Sequence, residues 1–282
     1  SNSQEFLVYY QSFGSNTNHH RFQTYLVGGK PPGSASTAPT YPGCTSKAQP
    51  KQTATILLDN HRLFFARHSR TWGGGPAFIC HGSTQSRPKQ LRVFSENRQL
   101  SSQDFHTTMN DCIDHEHTIG RMYLIKLSQF MEIVMQENGQ FDYTSAQCKA
   151  IREKLTDIYH QVTQRKESSS SCYIGKGFSV GKKGAYYGFL ILIGFHQRHP
   201  IFTFTGEEIH TPNPPSKKYL TCIAGGLTQC LQIMLSKQNG SRQEQEDFAN
   251  YIARYFYKKK GIMNHYELKE LERLVQSVVN QQ

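Results

Sequence analysis

Ser168-Ser-Ser-Ser-Cys-Tyr-Ile-Gly-Lys-Gly-Phe-Ser-Val-Gly-Lys-Lys-Gly184, then Ala185-Tyr-Tyr-Gly-Phe-Leu-Ile-Leu-Ile-Gly-Phe195 and Pro200-Ile-Phe-Thr-Phe204, is the stretch that sets the class of this fold. Short runs of β-branched and aromatic residues, separated by glycine-rich turns, read as strands joined in antiparallel fashion. The apolar run is broken by Gly188 and Gly194 and falls short of the length a membrane-spanning helix needs, so it predicts a buried strand. Two lysines share the turn with Gly181 and Gly184, which brings positive charge and close backbone approach together. A phosphate loop of the Gly-x4-Gly-Lys-[Ser/Thr] type is excluded, because the glycine spacing is wrong and Lys183 stands where a hydroxyl is required. What remains is an anion-binding expectation for Lys176, Gly177, Lys182 and Lys183, set against the plainer reading of exposed turn lysines.

Outward from this segment the pattern changes period. On the N-terminal side, Phe6 to Tyr10 and Phe22 to Val27 read as strands of a hairpin around Gly14-Ser-Asn-Thr-Asn18. Positions 28 to 50, rich in Gly, Pro, Ser and Thr, read as a long loop. Strand-like runs follow at Thr55 to Leu58, Arg62 to Phe65, Ala77 to Cys80 and Leu91 to Phe94. Helical spacing appears from Ser102, again behind Ser128, and from Ser145 to Val162. Beyond Phe204, Gly225-Gly226 suggests a strand-to-helix transition, and three helices over about 227–237, 243–260 and 265–279 close the chain. The sum predicts an α+β fold: a mostly antiparallel sheet, helices segregated from it, and an all-helical C-terminal segment. The end of the long loop and the serine run divide the chain into 1–50, 51–167 and 168–282, three segments or one continuous domain.

Composition bounds the function. The chain has 282 residues, 37% of them apolar, enough for a substantial core. Thirty-two basic against 21 acidic side chains give a net charge of +11, which favours an anionic partner: an acidic protein, a phospholipid headgroup, a nucleotide-containing ligand or nucleic acid. Seven cysteines, an odd number without framework spacing, point to a reducing, intracellular compartment, and the N-terminus lacks the features of a signal peptide. The Gln, Asn, Ser, His and Lys texture resembles that of effectors translocated by intracellular bacteria into host cells, which implies a host protein as partner.

Between Asp104 and Glu116 the charge reverses, with four acidic residues and no Lys or Arg. His106, Cys112, His115 and His117 fall in or beside this island, and imidazole and thiolate among carboxylates are what zinc takes. The alternative is a helix that turns Cys112 to the core with Phe105 and Met109 and leaves the histidines solvated. A thiol enzyme would pair a cysteine such as Cys112 with His115, or use Cys44, Cys80 or Cys222.

Cys80-His81-Gly82-Ser83, Tyr173-Ile-Gly175-Lys176-Gly177-Phe178-Ser179 and Tyr186 to Leu192 resemble the ordered parts of the poly(ADP-ribose) polymerase fold. The resemblance implies NAD as cofactor, His81 on its ribose, Gly177 against nicotinamide, and Glu207 or Glu208 as catalytic acid. Ser179 stands where that family has tyrosine, and about ninety residues separate the first two motifs. Two function classes therefore stand: a basic, effector-like protein engaging an anionic partner, and a Cys/His-dependent, zinc-dependent or ADP-ribosyl-transferring enzyme.

Overall fold

The computed structural model describes residues 5–59, 61–81, 91–163, 174–175, 177–180, 185–207, 210–235, 241–262 and 264–281, with the His81 side chain outside that description. Nine strands are described: β1 (Leu7–Ser12), β2 (Gln52–Leu58), β3 (His61–Phe65), β4 (Ala77–His81), β5 (Arg92–Phe94), β6 (Thr118–Lys126), β7 (Gly177–Ser179), β8 (Phe189–His196) and β9 (His199–Thr205). The described helices are α1 (His19–Val27), α2 (Ser102–Asp114), α3 (Leu127–Glu137), α4 (Ala146–Thr163), α5 (Lys217–Leu235), α6 (Arg242–Tyr257) and α7 (Leu268–Val279).

Seven strands form one sheet in the order β5-β2-β6-β1-β9-β8-β7, and β3 pairs with β4 in a second, two-stranded sheet. Every pairing is antiparallel except β1 with β9, where Tyr9 faces Ile201 and Tyr10 faces Phe202. This is the α+β, mostly antiparallel architecture the sequence predicts. Strands from all three sequence segments share the large sheet. Among the described residues no helix is long and apolar enough to cross a membrane.

Side-chain alternation explains how the sheet buries both faces. Val8, Tyr10, Tyr123, Ile125, Leu190, Leu192, Phe202 and Phe204 point one way and pack on α1, α3 and α4, with Phe22 stacked on Tyr123 at 3.8 Å between ring centroids. Towards β2 and β5 the same face, through Leu57, Ile119 and Phe94, packs on α2 and the three C-terminal helices. The opposite face contributes Tyr9, Ile56, Val93, Met122, Leu124, Ile191 and Ile193, which pack on one another with no helix between them. Leu91, beside β5, lies so close to Gly194 in β8 that a Cβ there would sit 2.6 Å from the leucine Cδ1. Five strand spacings separate β5 and β8 in the sheet, about 24 Å if it were flat. The sheet therefore curls into a barrel-like enclosure with the helices outside it.

Two sequence expectations change, and one strand pairing is set by the tertiary structure. His19–Val27 is helix α1, because the Asn18 side chain accepts from His20 N (3.0 Å) and Arg21 N (3.3 Å) as an N-cap, and Phe22, Tyr25 and Leu26 fall on one face. Gly225 and Gly226 lie inside α5, where a Cβ at Gly226 would strike the Thr17 side chain and the Asn18 backbone. β3 follows the turn after β2 but pairs with β4, so those two strands make no hairpin with each other.

Candidate active site

β1 runs through the middle of the sheet and stops at Phe13-Gly14. Gly14 leaves no space for a side chain, since an added Cβ would lie 2.9 Å from Tyr219 Oη and 3.3 Å from Ala77 Cβ. A single 3-10 turn, Ser15–Thr17, then leads into α1, and its exit is pressed against Gly226 of α5. The turn is thus fixed from two sides, and it aims the buried Asn16 inward. Asn16 Nδ2 donates to Tyr10 Oη at 2.9 Å and to Glu137 Oε1 at 2.8 Å.

Glu137 is the last residue of α3, and its two neighbours pin it. Gln136 Nε2 donates to Tyr25 O (3.1 Å) while its Oε1 accepts from Gly43 N (3.3 Å). Asn138 holds Tyr187 in both directions, donating to its carbonyl and accepting from its N–H, each at 3.2 Å. The carboxyl accordingly sits where α1, α3 and the loop before β8 meet, at the wall of a cavity of about 790 Å³ lined by Tyr10, Asn16, Arg21, Tyr25, Tyr41, Trp72, Tyr186, Tyr187 and Phe204. That size and an aromatic lining with a few convergent polar groups suit a small-molecule site.

The electrostatics of the cavity are uneven. Burial pushes the Glu137 carboxyl above the ordinary carboxylate range, opposed by the charge of Arg21 and by hydrogen bonds from Tyr25 and Asn16. Among the described residues no cation forms an ion pair with it. Arg21, only 3% exposed, donates through Nη2 to Tyr25 Oη at 2.7 Å, and its guanidinium lies 4.2 Å from the Tyr25 ring centroid and 5.0 Å from that of Tyr41. Its Nε and Nη1, and Asn16 Oδ1, meet no partner among the described residues. Burial also raises Tyr10, Tyr25 and Tyr187 well above the ordinary phenol value, so they stay protonated at neutral pH. The arrangement can exchange a proton at Glu137 beside a fixed positive charge at Arg21.

The residues expected from sequence lie elsewhere, and the 106–117 set divides. α2 ends at Asp114, so His117 does not continue the helical face of His106. His106 Nδ1 meets Tyr251 Oη at 2.6 Å on α6. Cys112 is fully buried, donates Sγ–H to His117 O at 3.6 Å, and burial pushes its thiol up to about 12, against the depressed value of an activated nucleophile. The structure instead groups His115 and His117 with Asp111. Burial likewise raises the thiols of Cys44, Cys222 and Cys230, the last two to about 12 and about 11.

Gly177 lies in β7, where an added Cβ would run into the Phe189 ring. Packing against that ring is a structural reason for glycine there. His81 ends β4 opposite His61. Lys176, Lys182, Lys183, Glu208 and the His81 side chain lie outside the described residues; Glu207 is exposed. Sequence reasoning passed over Asn16, Arg21 and Glu137. The available signal was Asn18 as an N-cap immediately after a strand and a glycine turn, which makes the following stretch a helix and places Arg21 on its first turn.

No family model matches the chain. Histone deacetylase 5 of Arabidopsis thaliana is 26% identical to it over 258 residues, covering 87% of this chain and 30% of that protein. The chain thus spans about 30% of the length of this curated relative. A solved structure of a gamma-glutamyl cyclotransferase is similar at a TM-score of 0.33 and 11% identity, over 86% of this chain and 98% of the other.

Proposed function

We propose that the protein is an enzyme in which Glu137 performs general acid–base catalysis on a small polar substrate bearing an anionic group. The observation that carries this reading is the Glu137 carboxyl itself, hydrogen-bonded by Asn16 at 2.8 Å at the wall of the large cavity and raised above its ordinary range by burial. A carboxyl so placed takes a proton from an attacking group and returns it to a leaving group. Arg21 in the cavity wall supplies a fixed positive charge that favours an anionic group on the substrate. The protonated tyrosines give a neutral wall.

Turnover is tested on γ-glutamyl compounds, the class in the structural neighbour's name, and on an acetylated histone peptide, the class in the sequence relative's name. Glu137→Gln keeps the shape and the Asn16 contact and is expected to remove turnover of whichever substrate is used. An independent readout is the carbon-13 NMR titration of the Glu137 carboxyl. A carboxyl that titrates in the ordinary glutamate range, or full activity in Glu137→Gln, refutes the proposal.

A further inference from the structure

A second cluster lies apart from the Glu137 cavity, where α2 gives way to β6. His115 follows the last helical residue, Glu116 takes a positive φ of 55°, and His117 N returns to Cys112 O at 2.9 Å. This reversal stacks the His115 and His117 rings, with centroids 5.7 Å apart and planes 24° from parallel. Asp111, one turn back on α2, brings Oδ1 to 3.0 Å from His115 Nδ1 and Oδ2 to 3.7 Å from His117 Nδ1. Asp59, at the end of β2, places Oδ1 3.4 Å from His117 Nδ1. Ligand atoms of Asp111, His115 and His117 all lie within 4.8 Å of one another. For a tetrahedral ion with bonds of about 2.0–2.1 Å, neighbouring ligand atoms stand about 3.3 Å apart. The Asp111–His115 and Asp111–His117 distances, made through the two oxygens of one carboxylate, lie on either side of that value.

The cluster already holds a cation. Arg92 donates through Nη2 to Asp59 Oδ1 (2.9 Å) and His117 Nδ1 (2.8 Å), and through Nη1 to Asp111 Oδ2 (3.3 Å). Guanidinium has donors only, so His117 Nδ1 presents its lone pair to it, the tautomer a metal requires. His115 Nδ1 faces two oxygens of Asp111 and carries a proton there; the proton shifts to Nε2 when Nδ1 becomes a ligand. Behind the turn, Lys259 Nζ donates to Glu116 O and His117 O, each at 3.3 Å, and fixes the backbone.

We propose that Asp111, His115 and His117 bind one divalent ion of the zinc class in competition with the Arg92 guanidinium. Two imidazoles and carboxylates select such an ion over magnesium or calcium, which take oxygen ligands. The ion would clasp the last turn of α2 to the turn that leads into β6. None of these residues lines the Glu137 cavity, so the inference stands independently of the catalytic reading.

The test is calorimetric titration of tag-free, chelator-dialysed protein with zinc chloride. One ion per chain is expected. The His115 side chain is 66% exposed, so His115→Gln leaves the fold intact and is expected to weaken binding about tenfold or more. Arg92→Gln removes the competing cation and tightens binding, whereas His106→Gln changes nothing. Absence of saturable zinc binding, affinity unchanged in His115→Gln, or weaker binding in a folded Arg92→Gln overturns the proposal.

Discussion

Lys259 is 1% exposed, and burial lowers its amine from the ordinary 10.5 to about 8. It lies 4.2 Å from the centroid of Tyr255 and donates to two backbone carbonyls, so its proton leaves within reach of ordinary buffers. Between about pH 8 and 10.5 the unfolded chain binds a proton that the native state does not. Native stability therefore rises with pH through this window, and below it the full cost of burying the charge is present. At about 1.4 kcal/mol per pH unit the window amounts to about 3 kcal/mol, of which about 2.5 kcal/mol is gained between pH 7 and pH 10. Lys259→Met does not titrate. At pH 7 the variant escapes that cost but leaves two carbonyls without their donor, at about 1–3 kcal/mol, so the two proteins differ little. At pH 10 the wild type is ahead by about 2.5 kcal/mol more. Urea unfolding of both proteins at pH 7 and pH 10 measures the difference, and the comparison cancels the ionisation of buried tyrosines common to both. A gap that widens by less than about 1 kcal/mol refutes the argument that this lysine is buried with a depressed pKa.

Glu137→Gln should be at least as stable as wild type at pH 8 while inactive. The raised carboxyl contributes stability that is present below its unfolded pKa and lost as pH rises through the folded value, so calorimetric melting above that range should show no deficit. Asn16→Ala and Tyr25→Phe each delete a hydrogen bond that favours the ionised carboxylate; the acid limb of the pH–rate profile should move to higher pH in both, and an unmoved limb separates structural from positioning roles. Gly226→Ala improves helix propensity yet forces a Cβ against the Thr17 and Asn18 backbone, so denaturant unfolding should report about 1–3 kcal/mol of destabilisation.

Much of the fold was written in local pattern. Short β-prone runs identified β1 to β5 and the β8–β9 pair, and 3.6-residue spacing identified α2, α3, α4 and the C-terminal helices, because strands and helices bury one side of a regular period, whereas Met122 to Leu127, at the end of β6, was ambiguous between the two. Cys112 on the core face of α2 was one of the two alternatives that spacing left open, and burial decided it. Phe22 to Val27 is too short and too apolar for period alone to choose, and the Asn18 cap settled it as helix.

The sites were a different matter. Asn16 meets Glu137 across 121 positions of sequence, and Asp59 and Arg92 reach His117 from separate strands. Neither the curl that brings Leu91 to Gly194 nor the parallel pairing of β1 with β9 leaves a trace in local composition. The sequence by itself determined which residues must be buried and with what period, since that is a property of each segment against water. Only the tertiary structure decided which buried polar groups face one another, because hydrogen bonds and pKa shifts depend on distances of a few ångströms between segments far apart in the chain.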